Sequence, residues 1–207
     1  MLALEFSSIR RSVAIRRTDG ALFETSETGG RATNACALIN QALQSSKTER
    51  GEIRVIVVGA GPGSYTGVRA AIAVAQGWQL ARGVKIQSVS SMESIAKHAQ
   101  RQNILGRLNV VVDAQRGEFY VTTYLVSKET IQEISALKIM TRIELESSGI
   151  RDEICLGPET HLIKYPSAEA NLLLAQGRED YIHGSGLKPI YLREASFAKV
   201  SPTSIRS

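Results

Sequence analysis

Hydrophobic and polar positions first alternate in short runs and then change period. Residues 2–7, 12–17 and 21–26 read as three strands, with Thr18-Asp19-Gly20 as a hairpin turn between the last two. Over 32–45 the repeat becomes helical: Ala35, Leu38, Ile39, Ala42 and Leu43 share one face. Ile53–Val58 is an apolar run suited to a strand buried on both sides. A helix over Thr66–Arg82, a strand over Val84–Val89 and a helix over Ser91–Arg101 follow. The pattern then restarts. Leu108–Asp113 and Glu118–Val126 pair around Ala114-Gln115-Arg116-Gly117, with a third strand over Thr130–Thr141. Residues 167–178 read as helix, and Lys188 to Ser207 holds apolar anchors without a period. The prediction is an α/β chain in two units, 1–105 and 106–207, each opening on a strand hairpin, which suggests an internal duplication. The C-terminal segment is expected to pack back on the first unit.

Composition narrows the class. The 207 residues are 43% hydrophobic and 22% charged, an ordinary globular balance. No apolar run reaches the length of about 18 residues that a membrane helix needs. Met1-Leu2-Ala3-Leu4 meets Glu5 at once, unlike a secretory signal. Cys36 and Cys155 stand too far apart in sequence to suggest a disulfide framework, so a reducing, cytoplasmic setting is expected. The net charge of +5 permits an anionic partner. Its one local concentration is Arg10, Arg11, Arg16 and Arg17, readable as a protected hairpin edge or as a contact for RNA or a partner.

The glycine-dense stretch Val57–Arg69 offers three chemistries. Phosphate binding fits poorly: no G-x-G-x-x-G register is complete, and no lysine occurs between Lys47 and Lys85. A nucleophile at Ser64, Tyr65 or Thr66 would need a base. His98, His161 and His183 lie in no triad or metal-ligand pattern. Thr66 as a helix N-cap behind a sharp turn is the simpler role.

The helix after the turn is apolar on nearly every side. On a helical wheel Gly67, Ala70, Ala71, Ala73, Val74, Gly77, Trp78 and Ala81 form one broad side, expected against the sheet. The other mixes Val68, Ile72, Ala75 and Leu80 with Arg69, Gln76, Gln79 and Arg82. A helix of this kind is covered on more than one side, by its own second unit or by another protein.

At this point the residues resemble a family. Residues 61–81, GPGSYTGVRAAIAVAQGWQLA, are similar to the signature of the TsaB (YeaZ) family of tRNA threonylcarbamoyladenosine biosynthesis. DAQRGEFYVTTY (113–124) and PIYLRE (189–194) resemble its second and C-terminal motifs. The resemblance implies a two-lobed actin-like ATPase fold built on RNase H-like sheets. It also implies a non-catalytic subunit that pairs with and activates TsaD. Metal and threonylcarbamoyl-adenylate are then expected on TsaD, ATP on TsaE, which joins the pair, and no cofactor on this chain. The complex would act on tRNA, and the free chain could pair with itself through the same helices. The partner-binding residues expected are Val68, Arg69, Ile72, Ala75, Gln76 and Gln79, with Cys36 and Asn40 on the first helix.

The chain departs from that family in places. Leu4-Glu5-Phe6-Ser7 replaces the usual Ile-Asp-Thr-Ser, and Ser8–Arg11 lacks the glycines that admit phosphate. Ala32-Thr33 stands where many members have His-Ser or His-Thr. A different class also stays open. Glu5, Asp113 and Glu118 would have to gather at strand ends to hold Mg²⁺ for a nuclease on an RNase H-like sheet.

Overall fold

The computed structural model describes residues 1–29, 34–150, 153–190 and 192. The first sheet has the order β3-β2-β1-β4-β5, from β1 (Leu2–Glu5), β2 (Arg10–Arg16), β3 (Leu22–Thr28), β4 (Val55–Gly59) and β5 (Lys85–Val89). β1 is antiparallel to β2 and parallel to β4, which is parallel to β5. The second sheet repeats this plan. Its order is β10-β9-β6-β7-β8, from β6 (Gly106–Gln115), β7 (Glu118–Val126), β8 (Ile131–Thr141), β9 (Cys155–Gly157) and β10 (Leu162–Ile163). Again a three-strand antiparallel meander is extended by two parallel strands.

The turns follow local chemistry. Between β2 and β3, Asp19 Oδ1 accepts the Ala21 amide at 3.1 Å, and Gly20 takes a φ of +87°. Between β6 and β7, Arg116 and Gly117 both have positive φ, the two-residue hairpin loop that matches strand twist.

Alternation along the first sheet sorts its two faces. Leu2, Leu4, Val13, Ile15, Ile56, Val58 and Ile86 bury against α1 (Ala35–Ser46) and α2 (Tyr65–Arg82). On the other face Ala3, Ala14, Val57 and Val89 receive α5 (Ala168–Ala175). The alanines let α5 approach closely, and Ser12 Oγ accepts the Ala168 amide at 2.8 Å. α3 (Ser91–Arg101) turns Met92, Ile95, Ala96 and Ala99 toward Leu108, Val110, Tyr120 and Tyr124 of the second sheet. α4 (Arg142–Ser147) covers the opposite face through Leu145. The layers therefore run α1/α2, first sheet, α5/α3, second sheet, α4. Ser94 and Ser167 tie the middle helices by exchanging bonds of 3.2 and 3.1 Å.

Some bounds differ from the pattern. The segment read as helix over 167–178 ends at Ala175, where Gln176 turns extended. β9 and β10 are too short to show alternation, and α4 escaped notice although its Thr141–Glu144 capping box is legible in sequence. The helix expected from residue 32 is described from Ala35, and Ala32 and Thr33 lie outside the described residues.

Candidate functional site

The glycine turn serves packing. A Cβ on Gly67 would stand 1.9 Å from the Phe6 carbonyl oxygen, and one on Gly63 would stand 2.2 Å from that of Ser7. Only glycine lets α2 start against the end of β1. The turn's amides are also committed: Ala60 donates to Val89 O, Gly61 to Ser91 Oγ and Ser64 to Ser7 O. Gly67 donates to Ser64 Oγ, so Ser64, not Thr66, caps the helix. Four of the turn's amides are therefore engaged within the fold.

Beside the turn, Glu5 is fully buried at the end of β1. Its carboxylate accepts from the Ser7 amide (2.9 Å), Ser91 Oγ (3.0 Å to one oxygen, 3.2 Å to the other) and Asn171 Nδ2 (3.0 Å). A Cβ on Gly59 would lie 2.0 Å from it. The nuclease alternative requires Glu5, Asp113 and Glu118 to converge, and they do not. Glu5 is enclosed, Asp113 bonds the Gln115 amide and side chain at 2.8 and 2.7 Å, and no acidic, histidine or cysteine trio placed for a metal occurs among the described residues.

The inward side of α2 is rotated from the wheel's assignment: Gly67 and Ala71 lie against the sheet as expected and Arg69, Leu80 and Arg82 face out, but Val68, Ile72 and Ala75 turn inward while Ala73, Gly77 and Ala81 turn outward. Val68, Ile72 and Ala75 are buried in the first sheet's core, so as folded they are closed to a partner. Gln76 and Gln79 are half-buried and clamp the 3-10 turn Gly184–Gly186. Gln76 Nε2 donates to Gly184 O (2.8 Å), and Gln79 Oε1 accepts the Gly184 amide (2.6 Å). Arg69 is exposed, its guanidinium 4.8 Å from the Tyr65 ring centroid. Outward lie Ala73, Gly77, Ala81 and Leu80, the last 91% exposed, flanked by half-buried Ala70, Val74 and Trp78. Nothing approaches a Cβ on Gly77 within 4 Å. The β-branched Val68 and Ile72 face inward together with Gly67, Ala71 and Ala75, while Ala73, Gly77, Ala81 and the large Leu80 face outward. On α1, Cys36 and Asn40 are exposed, Asn40 accepting from Arg50. Across both helices the only charged residues are Arg69 and Arg82.

The arginine pairs do not form one patch. Arg11 is buried 4.0 Å from Glu27, Arg17 pairs with Asp19 at 3.2 Å, and Arg10 and Arg16 lie half-buried on the sheet's other face. No described helix is long and apolar enough to cross a membrane. Of PIYLRE, Tyr191, Arg193 and Glu194 lie outside the described residues, while the Ile190 amide donates to Ala60 O at 2.8 Å.

The model of the family described as TsaD: tRNA N6-adenosine threonylcarbamoyltransferase matches residues 31–200. The chain belongs to that family. Its curated relatives include the tRNA threonylcarbamoyladenosine biosynthesis protein TsaB of Escherichia coli, 36% identical over 87 residues. That match covers 42% of this chain and 38% of the relative. The TsaB of Bacillus subtilis is 26% identical over 169 residues, covering 79% of this chain and 73% of the relative. YeaZ from Pseudomonas aeruginosa superposes with a TM-score of 0.79 at 22% identity, covering 92% of this chain and 98% of that one. A second Pseudomonas aeruginosa structure, described as similar to peptidase YeaZ, gives 0.80, also at 22% identity, over 93% and 98%. These matches are to TsaB and YeaZ proteins, and the repeated α/β sheet plan is the fold of the YeaZ structures.

Proposed function

We propose that the chain is a non-catalytic scaffold subunit in cytoplasmic synthesis of N6-threonylcarbamoyladenosine on tRNA, pairing with and activating TsaD. The observation that carries this reading is the outward stripe of α2. A helix covered by its own sheet on one side still presents Ala73, Gly77, Leu80 and Ala81 to solvent, with no acidic residue beside them. Small residues let a second helix approach closely, and burying such a stripe contributes about 25 cal/mol per Å² of apolar area before ordering costs. The contact proposed therefore moves from Val68, Ile72 and Ala75 to Arg69, Ala73, Gly77 and Leu80. Gln76 and Gln79 hold the flank, and Cys36 and Asn40 of α1 extend the surface. Metal and threonylcarbamoyl-adenylate belong on TsaD and ATP on TsaE, which joins through the pair. Self-pairing of the free chain uses the same stripe.

The test is Gly77→Arg. It places a charge in the seam where the free chain has open space, and because arginine is a better helix former than glycine the isolated protein's melting temperature should hold or rise. Co-purification with TsaD is expected to fall at least about tenfold, as a buried unpaired charge costs several kcal/mol. Omitting the chain from a mixture of TsaD, TsaE, tRNA and the adenylate donor is expected to stop modification. Undiminished pairing of Gly77→Arg would place the contact elsewhere.

A further inference from the structure

A polar cavity of about 300 Å³ opens where β2 and β3 of the first sheet meet α3 and α5. Arg10, His98, Arg101 and Gln102 line it, together with Glu24, Glu169 and the start of α5. These groups come from distant parts of the chain and owe their meeting to the fold.

The carboxylates here are already engaged. Glu169 is 2.7 Å from Arg101, and Glu24 accepts the Glu169 amide at 2.9 Å. Arg10, by contrast, has no carboxylate partner among the described residues. Lys164 donates to Gln102 Oε1, which leaves the amide nitrogen of Gln102 to donate to His98 Nε2 at 3.1 Å. In that arrangement His98 Nε2 is the acceptor, which is the role of the neutral ring protonated on Nδ1. Burial, followed by the charges of Lys164, Arg10 and Arg101, pushes its pKa below the ordinary histidine value, against the opposing pull of Glu169. Of the three cations near the ring, Arg101 is paired with Glu169, while Arg10 and Lys164 have no carboxylate within ion-pair distance among the described residues, and Glu24 is the acidic group that opposes them.

We propose that this cavity binds a small phosphate-bearing ligand, with Arg10 as its principal anchor. A guanidinium fork matches the oxygens of phosphate. The volume, at the lower end of the range for small-molecule sites, exceeds a bare oxyanion. Glu24 and Glu169 add acceptors for hydroxyl or amino groups on the remainder of the ligand. Because the walls belong to both the first sheet and the helix on the second, an occupant would brace the seam between the sheets.

The test titrates the full chain by calorimetry with inorganic phosphate and, separately, with glycerol phosphate, ionic strength being held constant with chloride. Saturable binding is expected. Arg10→Gln should weaken it at least about tenfold, as expected for loss of a charge-assisted bond. Glu169→Gln, which frees Arg101, should tighten it, and Arg17→Gln, outside the cavity, should leave it unchanged. Tighter binding of glycerol phosphate than of inorganic phosphate assigns an organic phosphate, and equal binding assigns free phosphate. Circular dichroism establishes that each variant is folded. Non-saturable heats, or equal losses in folded Arg10→Gln and Arg17→Gln, would mean that phosphate merely screens charge, and would overturn the proposal.

Discussion

At Glu5 a single carboxylate holds together three parts of the chain. Its acceptor oxygens satisfy the Ser7 amide, Ser91 at the start of α3 and Asn171 on α5, all out of water. Glu5→Ala strands those donors in a dry site and is expected to cost about 3 kcal/mol, read from urea unfolding. Glu5→Gln, which keeps an acceptor oxygen, should cost less. His98 governs a pH effect. Its folded pKa is depressed, chiefly by burial and then by the cations around it. Such a group contributes stability that is whole above its unfolded pKa of about 6.5 and is lost as pH falls toward the folded value. His98→Gln should therefore flatten the loss of stability between about pH 7.5 and about pH 5.5, measured by unfolding at each. Neither role was legible in sequence. Glu5 read as a departure from a motif and as a metal-ligand candidate, and His98 as a histidine without a pattern, because Ser91, Asn171 and Lys164 lie far away along the chain.

In α2 the glycines separate two functions that the sequence spells alike. Gly67 sits against the Phe6 carbonyl, whereas Gly77 faces open space. Alanine is favoured over glycine in a helix by about 1 kcal/mol. Gly77→Ala should accordingly raise stability by up to about 1 kcal/mol. Gly67→Ala should lower it by at least about 2 kcal/mol, since backbone must move to admit the methyl group. Thermal melts of the two variants check the opposite signs. The helix, its cap region and the strands before it were readable from period and turn chemistry. Which side faced inward was not, because alanine, valine and glycine occur all round the cylinder. Packing decides it: Gly67, Ala71 and Ala75 let the helix come close to the sheet, and Val68 and Ile72 fill the space beside them.

Across the whole molecule, one plan occurs twice, and the two copies are joined by helices that cross between them. The duplication showed in the sequence as two hairpin starts. The crossing did not, since Leu172 and Ile95 carry no mark of which sheet they will meet. α5 follows the second sheet in the chain yet buries Ala168, Leu172 and Ala175 against the first, and α3 follows the first yet packs on the second. With Ser94 and Ser167 bonded between these helices, neither sheet keeps both faces covered if the other opens. Unfolding should then be a single cooperative event despite two sheets. Trp78, the only tryptophan, reports on the first sheet's helix, while near-ultraviolet circular dichroism of Tyr120 and Tyr124 reports on the second sheet's core. The two urea transitions are expected to coincide. Leu172→Ala, which truncates a fully buried side chain on α5, should shift both together by about 2–5 kcal/mol. A variant in which the Trp78 transition moves alone would show that the crossing helices do not couple the halves, and that the docking helix melts independently of the second sheet.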